Sequence, residues 1–138
     1  MIAASRAAAE LRPGDKLPVE EKSFSSTDLV MYAGATWDWH RLHHDLEFVK
    51  EMGLPAPVID GQIYGALFAK QLMSWLGPRW FIRRQTFRMR AMAFAGDTLR
   101  TEGAVSEVRG DGVVVLTQQI LKGEVTVADA TTEVRPVS

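Results

Sequence analysis

One long apolar segment limits how this chain can fold. Between Gly61 and Leu76 the residues follow a helical pattern in which the main polar positions are Lys70, Gln71 and Ser74. A helix this apolar is expected to be buried nearly all round. The segment is shorter than the roughly 18 apolar residues that cross a membrane, so we predict a core helix and no membrane span.

The sequence after residue 79 changes to the alternating, β-branched pattern of strands. Four segments share this pattern: 81–93, 97–108, 113–121 and 125–134. Turn sequences at 109–112 and 122–124 separate the later ones. We therefore expect an antiparallel meander of three or four strands that wraps the helix, which is an α+β arrangement.

Two shorter helices are predicted before the core helix. The cluster Ser25–Asp28 is typical of a helix N-cap, and the helix it opens should end near Gly34. Asp45 is predicted to cap a second helix that reaches Met52. We expect one domain over residues 1–138, with residues 1–10 as a frayed leader.

Composition excludes several classes of function. The 16 Lys and Arg residues are balanced by 17 Asp and Glu residues, which argues against nucleic-acid binding. The chain has no cysteine, so it can form no disulfide, thiolate zinc site, iron–sulfur cluster or cysteine nucleophile. Absence of cysteine also fits a cytoplasmic protein, and we predict that localisation.

The segment 37–45 holds all three histidines of the chain. Asp38 and His43 are separated by four residues of turn-forming sequence, so their side chains can face one pocket. A carboxylate and a neutral imidazole can hold one water between them, and the imidazole can take its proton. Metal binding by this segment is the alternative, but neighbouring imidazoles at His43 and His44 point apart, so we predict no metal.

Gly61 opens the core helix, where the first backbone N–H groups have no partner within the helix. The helix dipole adds positive potential at that end. These features suit a donor to negative charge that develops on a thioester carbonyl oxygen. An acid/base pair, a water and such a donor are the parts needed to add water to an α,β-unsaturated thioester.

These segments resemble the MaoC-type, (R)-specific enoyl-CoA hydratases over about residues 25–137. The family motif Gly-Asp-x-Asn-Pro-x-His-x-Asp, followed later by His-Gly-Met, is matched at Asp38, His43, Asp45 and Gly61. The resemblance implies the hotdog fold, a long helix wrapped by an antiparallel sheet. It also implies that His43 is the base, that Asp38 orients the water and that Gly61 donates the oxyanion hydrogen bond.

The implied activity is reversible hydration of a trans-2-enoyl-CoA to a 3-hydroxyacyl-CoA. Coenzyme A then belongs to the substrate, and no other cofactor is implied. The resemblance further implies a homodimer, or a higher even oligomer, formed through sheet edges, and allows a heteromer with a homologous hotdog subunit.

The chain departs from the motif at several positions. His40 and Arg41 replace the family Asn and Pro, Asp60 and Gln62 replace the His and Met around Gly61, and Ala69 replaces a helix Ser. These changes predict that the shape of the pocket and the substrate differ from those of the family. They affect the pair Asp38 and His43 less. They also motivate a second hypothesis, a non-catalytic or partner-dependent acyl-CoA-binding subunit. An acyl-CoA thioesterase is a third.

Six residues are predicted to bind substrate: Trp37, His40, Asp60, Tyr64, Arg84 and Arg88. Asp60 is open to two interpretations, a helix N-cap or a pocket residue. Arg84 and Arg88 share one face of their strand with Arg90 and could meet coenzyme A phosphates, although a solvated sheet face is the favoured interpretation.

Overall fold

The computed structural model describes residues 4–137, which form three α-helices and one five-stranded sheet. The helices are α1 (Ser26–Thr36), α2 (Leu46–Glu51) and α3 (Gln62–Leu76). The strands are β1 (Glu20–Ser23), β2 (Trp80–Met89), β3 (Thr98–Val108), β4 (Val114–Lys122) and β5 (Val125–Pro136). Short 3₁₀ turns lie at Ala8–Glu10 and Arg41–His43.

The predicted helix starts agree with the structure, and so does the predicted end of α1 near Gly34. The Ser25 hydroxyl accepts from the Asp28 N–H while the Asp28 carboxylate accepts from the Ser25 N–H, a complete capping box. Asp45 caps α2 as expected. Helix α1 continues through Gly34 to Thr36, because an isolated glycine weakens a helix without ending it.

The sheet is antiparallel with strand order β1-β3-β4-β5-β2. Strands β3, β4 and β5 form the predicted meander, and β1 extends it at one edge. Strand β2 pairs with β5 instead of its sequence neighbour β3, so the meander prediction is wrong for that strand. The chain leaves β2 at Met89 and reaches the opposite side of the sheet through residues 90–97.

Helix α3 packs against the sheet in the predicted hotdog arrangement. Its buried residues lie on one side: Ile63, Tyr64, Leu67, Phe68, Gln71, Leu72 and Leu76. Ala66, Lys70 and Ser74 are exposed, so burial all round is wrong for the single chain, whose sheet covers only one side of the helix. No helix within residues 4–137 is long and apolar enough to cross a membrane.

The start of the chain is held against the end of α3. The Arg6 N–H donates to the Leu76 carbonyl (2.8 Å), and the Trp80 indole N–H donates to the Arg6 carbonyl (2.9 Å). The Arg6 contact satisfies one of the carbonyls that end the helix, and fraying of residues 1–10 stays a prediction. Residues 1–3 of the predicted leader lie outside the described residues.

Candidate active site

Asp38 is positioned by the end of α1. The helix stops at Trp37, whose left-handed backbone (φ 58°, ψ 30°) turns the chain away from the helix axis. The Asp38 N–H then donates to the Ala33 carbonyl (3.1 Å), and its Oδ1 accepts from the His40 N–H (3.3 Å). Asp38 is half-buried, so its carboxylate is placed by backbone contacts and still reaches solvent.

His43 is held in one orientation by the linker before α3. Its Nδ1 lies 2.7 Å from the Val58 carbonyl oxygen, which can only accept, so Nδ1 carries a hydrogen. The neutral ring therefore has its lone pair at Nε2. The same linker is fixed by the Val58 N–H, which donates to the Leu42 carbonyl (2.9 Å).

The linker brings Asp60 and Gly61 to the start of α3. Asp60 is 6% exposed, and its Oδ1 accepts from the Gln62 N–H (2.9 Å), a capping contact made from the residue before Gly61, which is the N-cap of α3. Its Oδ2 is buried and has no hydrogen-bond partner in the described chain. The Gly61 N–H likewise donates to no group within residues 4–137, so it is available to a ligand.

Asp38, His43 and Asp60 converge. One carboxylate oxygen from each aspartate and one ring nitrogen of the histidine all lie within 4.8 Å of one another. No direct hydrogen bond or ion pair joins these three side chains among the described residues. Two hydrogen bonds of about 2.8 Å meeting at one water span about 4.6 Å, so the gap is the size that a bridging water fills.

A pocket of about 350 Å³ opens beside this cluster. His43, Gly61 and Tyr64 line it together with mostly apolar residues: Val58, Ile59, Met89, Arg90, Ala91 and Met92. Apolar walls with a few polar groups at one end are typical of a site that holds an acyl chain next to a reactive group.

Two tyrosines lie near the carboxylates, whose negative charges help to raise the pKa of their phenol groups. Burial, aided by the negative charges of Asp97 and Asp60, raises the pKa of Tyr64 to about 12 although the Ala93 backbone opposes it. The pKa of Tyr32 is also raised, first by burial and then by Asp60 and Asp38. Both phenols therefore stay protonated at neutral pH.

Three predicted substrate-binding residues are not brought to the pocket. Trp37 is 80% exposed and packs edge-on against Trp39. Arg84 and Arg88 are exposed at even positions of β2, whereas the odd positions Phe87 and Met89 approach α3. Side chains alternate along a strand, so these arginines project from the other face of the sheet.

His40 lies at the edge of the cluster, with its ring 6.0 Å from the His43 ring, and its Nδ1 accepts from the Leu42 N–H. The sequence did not predict a site role for Met89, whose sulfur packs directly against Gly61; Arg90 lines the pocket, unlike Arg84 and Arg88. The signal for Met89 is weak, because methionine in a strand usually fills gaps in a core, whereas Met89 is 66% exposed.

The sequence is similar to known proteins. Residues 8–130 match the family model described as MaoC like domain. The chain is 27% identical over 89 residues to the mitochondrial 3-hydroxyacyl-[acyl-carrier-protein] dehydratase of Arabidopsis thaliana; the match covers 64% of the chain. The chain spans about half the length (52%) of that curated relative.

Solved structures confirm the fold. The (R)-hydratase of A. caviae involved in PHA biosynthesis superposes with a TM-score of 0.86 at 24% identity, covering 92% of this chain and 98% of that one. The ChsH1-ChsH2 complex of Mycobacterium tuberculosis gives a TM-score of 0.84 at 24% identity, covering 91% and 98%. These similarities establish the hotdog fold.

Proposed function

The chain belongs to the MaoC like domain family, and from that premise we propose that it hydrates a trans-2-enoyl thioester reversibly to a 3-hydroxyacyl thioester. The observation that carries this proposal is the convergence of Asp38 and His43 within 4.8 Å of each other without a direct bond. That gap accommodates one water in contact with both groups.

His43 acts as the base in this reaction. The Val58 carbonyl keeps its hydrogen on Nδ1, so Nε2 can accept a proton from the water while Asp38 orients it. The water oxygen forms a bond to Cβ, and the C=C electrons move toward the thioester carbonyl. The proton taken by His43 is then delivered to Cα, which restores the base and completes the addition.

Gly61 stabilises the charge that builds up on the thioester oxygen. Its N–H is free and lies at the start of α3, where the helix dipole is positive. The absence of a side chain at Gly61 leaves room for Met89, whose sulfur covers this end of the pocket. Met89 therefore forms the wall against which the thioester is placed.

The proposed substrate is a coenzyme A thioester with an apolar acyl group. The pocket walls formed by Val58, Ile59, Ala91 and Met92 support an apolar chain. The curated relative is named for an acyl-carrier-protein substrate, and a protein-borne thioester carries the same reactive group. A comparison of the two carriers on the purified protein decides between them.

A partner-dependent subunit is the second candidate. The replacement of the family His by Asp60 puts a second carboxylate next to the dyad, and one similar structure is a complex of two different chains. In this case the chain would bind acyl-CoA and remain inactive until a homologous hotdog subunit supplies the missing groups.

The test is a direct assay of hydration on a panel of trans-2-enoyl-CoAs, followed by loss of the conjugated thioester absorbance. We expect turnover that falls by about 10²- to 10⁴-fold in His43→Ala and in Asp38→Asn. His44→Ala is the matched control, because that imidazole bonds to the Trp39 carbonyl outside the cluster (3.0 Å). Equal rates in wild type and His43→Ala would reject the mechanism, and release of free thiol would indicate a thioesterase.

A further inference from the structure

The carboxylate of Asp60 is not accounted for by hydration. Asp60 is 6% exposed, its Oδ1 caps α3, and its Oδ2 is buried without a partner in residues 4–137. Burying a carboxylate oxygen without a donor or a positive charge is costly. The position therefore needs a group that residues 4–137 do not supply.

The balance of hydrogen-bond donors and acceptors in the cluster shows what the missing group must provide. One ring nitrogen of His43 and one oxygen each of Asp38 and Asp60 lie within 4.8 Å of one another, and Nε2 is the acceptor left on the neutral ring once Nδ1 donates to the Val58 carbonyl. One water has two hydrogens, so the water held by Asp38 and His43 leaves Asp60 unsatisfied. A cation satisfies all three at once.

No cation within residues 4–137 is paired with these carboxylates. None of the ion pairs among the described residues includes Asp38 or Asp60. Arg41 is bound to Asp45 (2.8 Å), and Arg90, which lines the pocket, is paired with Asp129. Within residues 4–137, the two carboxylates therefore lie close to each other and to the His43 imidazole without a paired cation.

We propose that Asp38, His43 and Asp60 form a binding site for one divalent transition-metal ion. Imidazole nitrogen and carboxylate oxygen are the ligands that zinc, manganese and cobalt take in proteins. The Val58 carbonyl holds the His43 ring in the orientation that a metal ligand requires. Calcium is disfavoured, because it takes six to eight oxygens and this cluster offers few.

Binding requires a modest contraction of the cluster. Ligands about 2.1 Å from a tetrahedral metal lie about 3.4 Å apart, against the 4.8 Å within which these atoms now fall. Asp38 is half-buried on a turn and can move, whereas Asp60 and His43 are fixed by Gln62 and Val58. Water completes the coordination from the solvent side.

The site has a consequence for the proposed activity. A metal bound to Nε2 uses the lone pair with which His43 takes the proton of water. The metal-loaded protein is therefore expected to be inactive as a hydratase, and removal of the metal restores turnover. This consequence depends on the proposed function, whereas binding itself does not.

The experiment is a titration of Co²⁺ into chelator-treated protein without a polyhistidine tag, followed by its visible d–d absorption and by calorimetry. We expect one ion per chain with a micromolar Kd, displaced by Zn²⁺. Asp60→Asn keeps the cap oxygen and should weaken binding about 100-fold or more, since even outer groups cost tenfold to 100-fold. Asp38→Asn should act in the same direction, and His44→Ala should bind as wild type.

Two outcomes would overturn the proposal. Saturation equal in wild type, Asp60→Asn and Asp38→Asn means that Co²⁺ binds elsewhere. No spectral change or heat at millimolar Co²⁺ means that the cluster does not bind a divalent metal ion. Both leave the hydration assay untouched, so failure of the metal site and failure of the proposed function are told apart.

Discussion

Each reactive side chain of the site is oriented by the backbone of another residue. His43 donates to the Val58 carbonyl, Asp38 accepts from the His40 N–H and Asp60 accepts from the Gln62 N–H. The three groups therefore do not depend on one another for their positions. Single substitutions of these three residues should therefore lower the activity while the backbone of the turn and of the start of α3 keeps its conformation.

The contact between Gly61 and Met89 gives a prediction about the pocket. A Cβ at residue 61 would overlap the Met89 sulfur, while the Gly61 backbone (φ −60°) suits alanine well. Gly61→Ala should therefore push the flexible Met89 side chain into the pocket and lower kcat/KM by about 10- to 100-fold. Stability should change by less than about 1 kcal/mol, because Met89 is 66% exposed.

A double variant distinguishes obstruction from loss of the oxyanion donor. Gly61→Ala with Met89→Ala should recover most of the activity, since the alanine keeps the N–H and the obstruction is gone. Met89→Ala alone serves as the control. If the double variant is as slow as Gly61→Ala, Met89 is not the cause.

Tyr64 gives a prediction about alkaline stability. Its pKa is raised to about 12 in the folded chain, mainly by burial, against 10.0 for the free side chain. The unfolded chain therefore releases the proton first, and stability that is complete below pH 10 is lost between pH 10 and 12. Over that range the loss attributable to Tyr64 is about 2 kcal/mol.

Urea unfolding at pH 8 to 12 checks this prediction with Tyr64→Phe as the comparison. The variant should lose less stability than wild type across the window, because phenylalanine cannot ionise. Other groups titrate equally in both proteins and cancel. Parallel pH curves for the two proteins would show that Tyr64 contributes nothing.

At the scale of elements, local signals located the helices well. The cap at Ser25, the cap at Asp45 and the glycine after Leu76 each mark an observed boundary to within a residue or two. These signals are reliable because they involve hydrogen bonds between neighbours in sequence. Trp37 was not predicted as the end of α1, since a tryptophan rarely adopts a left-handed backbone.

That backbone makes Trp37 a source of strain at the end of α1. It is the only non-glycine residue with positive φ in the described chain, and 80% of its surface is exposed. Trp37→Gly should therefore stabilise the protein by roughly 0.5 to 1 kcal/mol, after the flexibility of glycine in the unfolded chain is allowed for.

Chemical unfolding of Trp37→Gly and Trp37→Ala measures this effect. The two variants lose the same indole ring and differ only in the Cβ, so the glycine form should be the more stable. An alanine variant at least as stable as the glycine variant would contradict the strain.

At the scale of the whole molecule, the sequence predicted a helix packed on a sheet, but it did not predict which strands lie next to each other in that sheet. Periodicity indicates that 81–93 is a strand without indicating that β2 pairs with β5, because that pairing depends on where the chain crosses. The same limit applies to the site. Asp38 and His43 could be paired by spacing, whereas Asp60 joins them only through the path of the linker against residues 93–95.

The edge position of β2 leaves a long strand unpaired. In the described chain its outer edge bonds to no other strand, and it is ten residues long, against four for β1 at the opposite edge. Long unprotected edges pair with other chains. We therefore expect two copies to join through β2, which would extend the sheet and bring the start of each pocket, at Met89, close to the partner.

This assembly predicts a particle of about twice the 15.3 kDa of one chain in size-exclusion chromatography with light scattering. Hydrogen exchange gives the finer test, because half of the β2 amides have no partner within one antiparallel pair and should exchange fast in a monomer. In the dimer, amides throughout Trp80–Met89 should be protected, and their protection should fall on dilution. The edge strand Glu20–Ser23 is the internal control and should exchange at the same rate at all concentrations. A 15.3 kDa particle at every concentration, with unprotected β2 amides, would show that this edge stays free and that the pocket is complete within one chain.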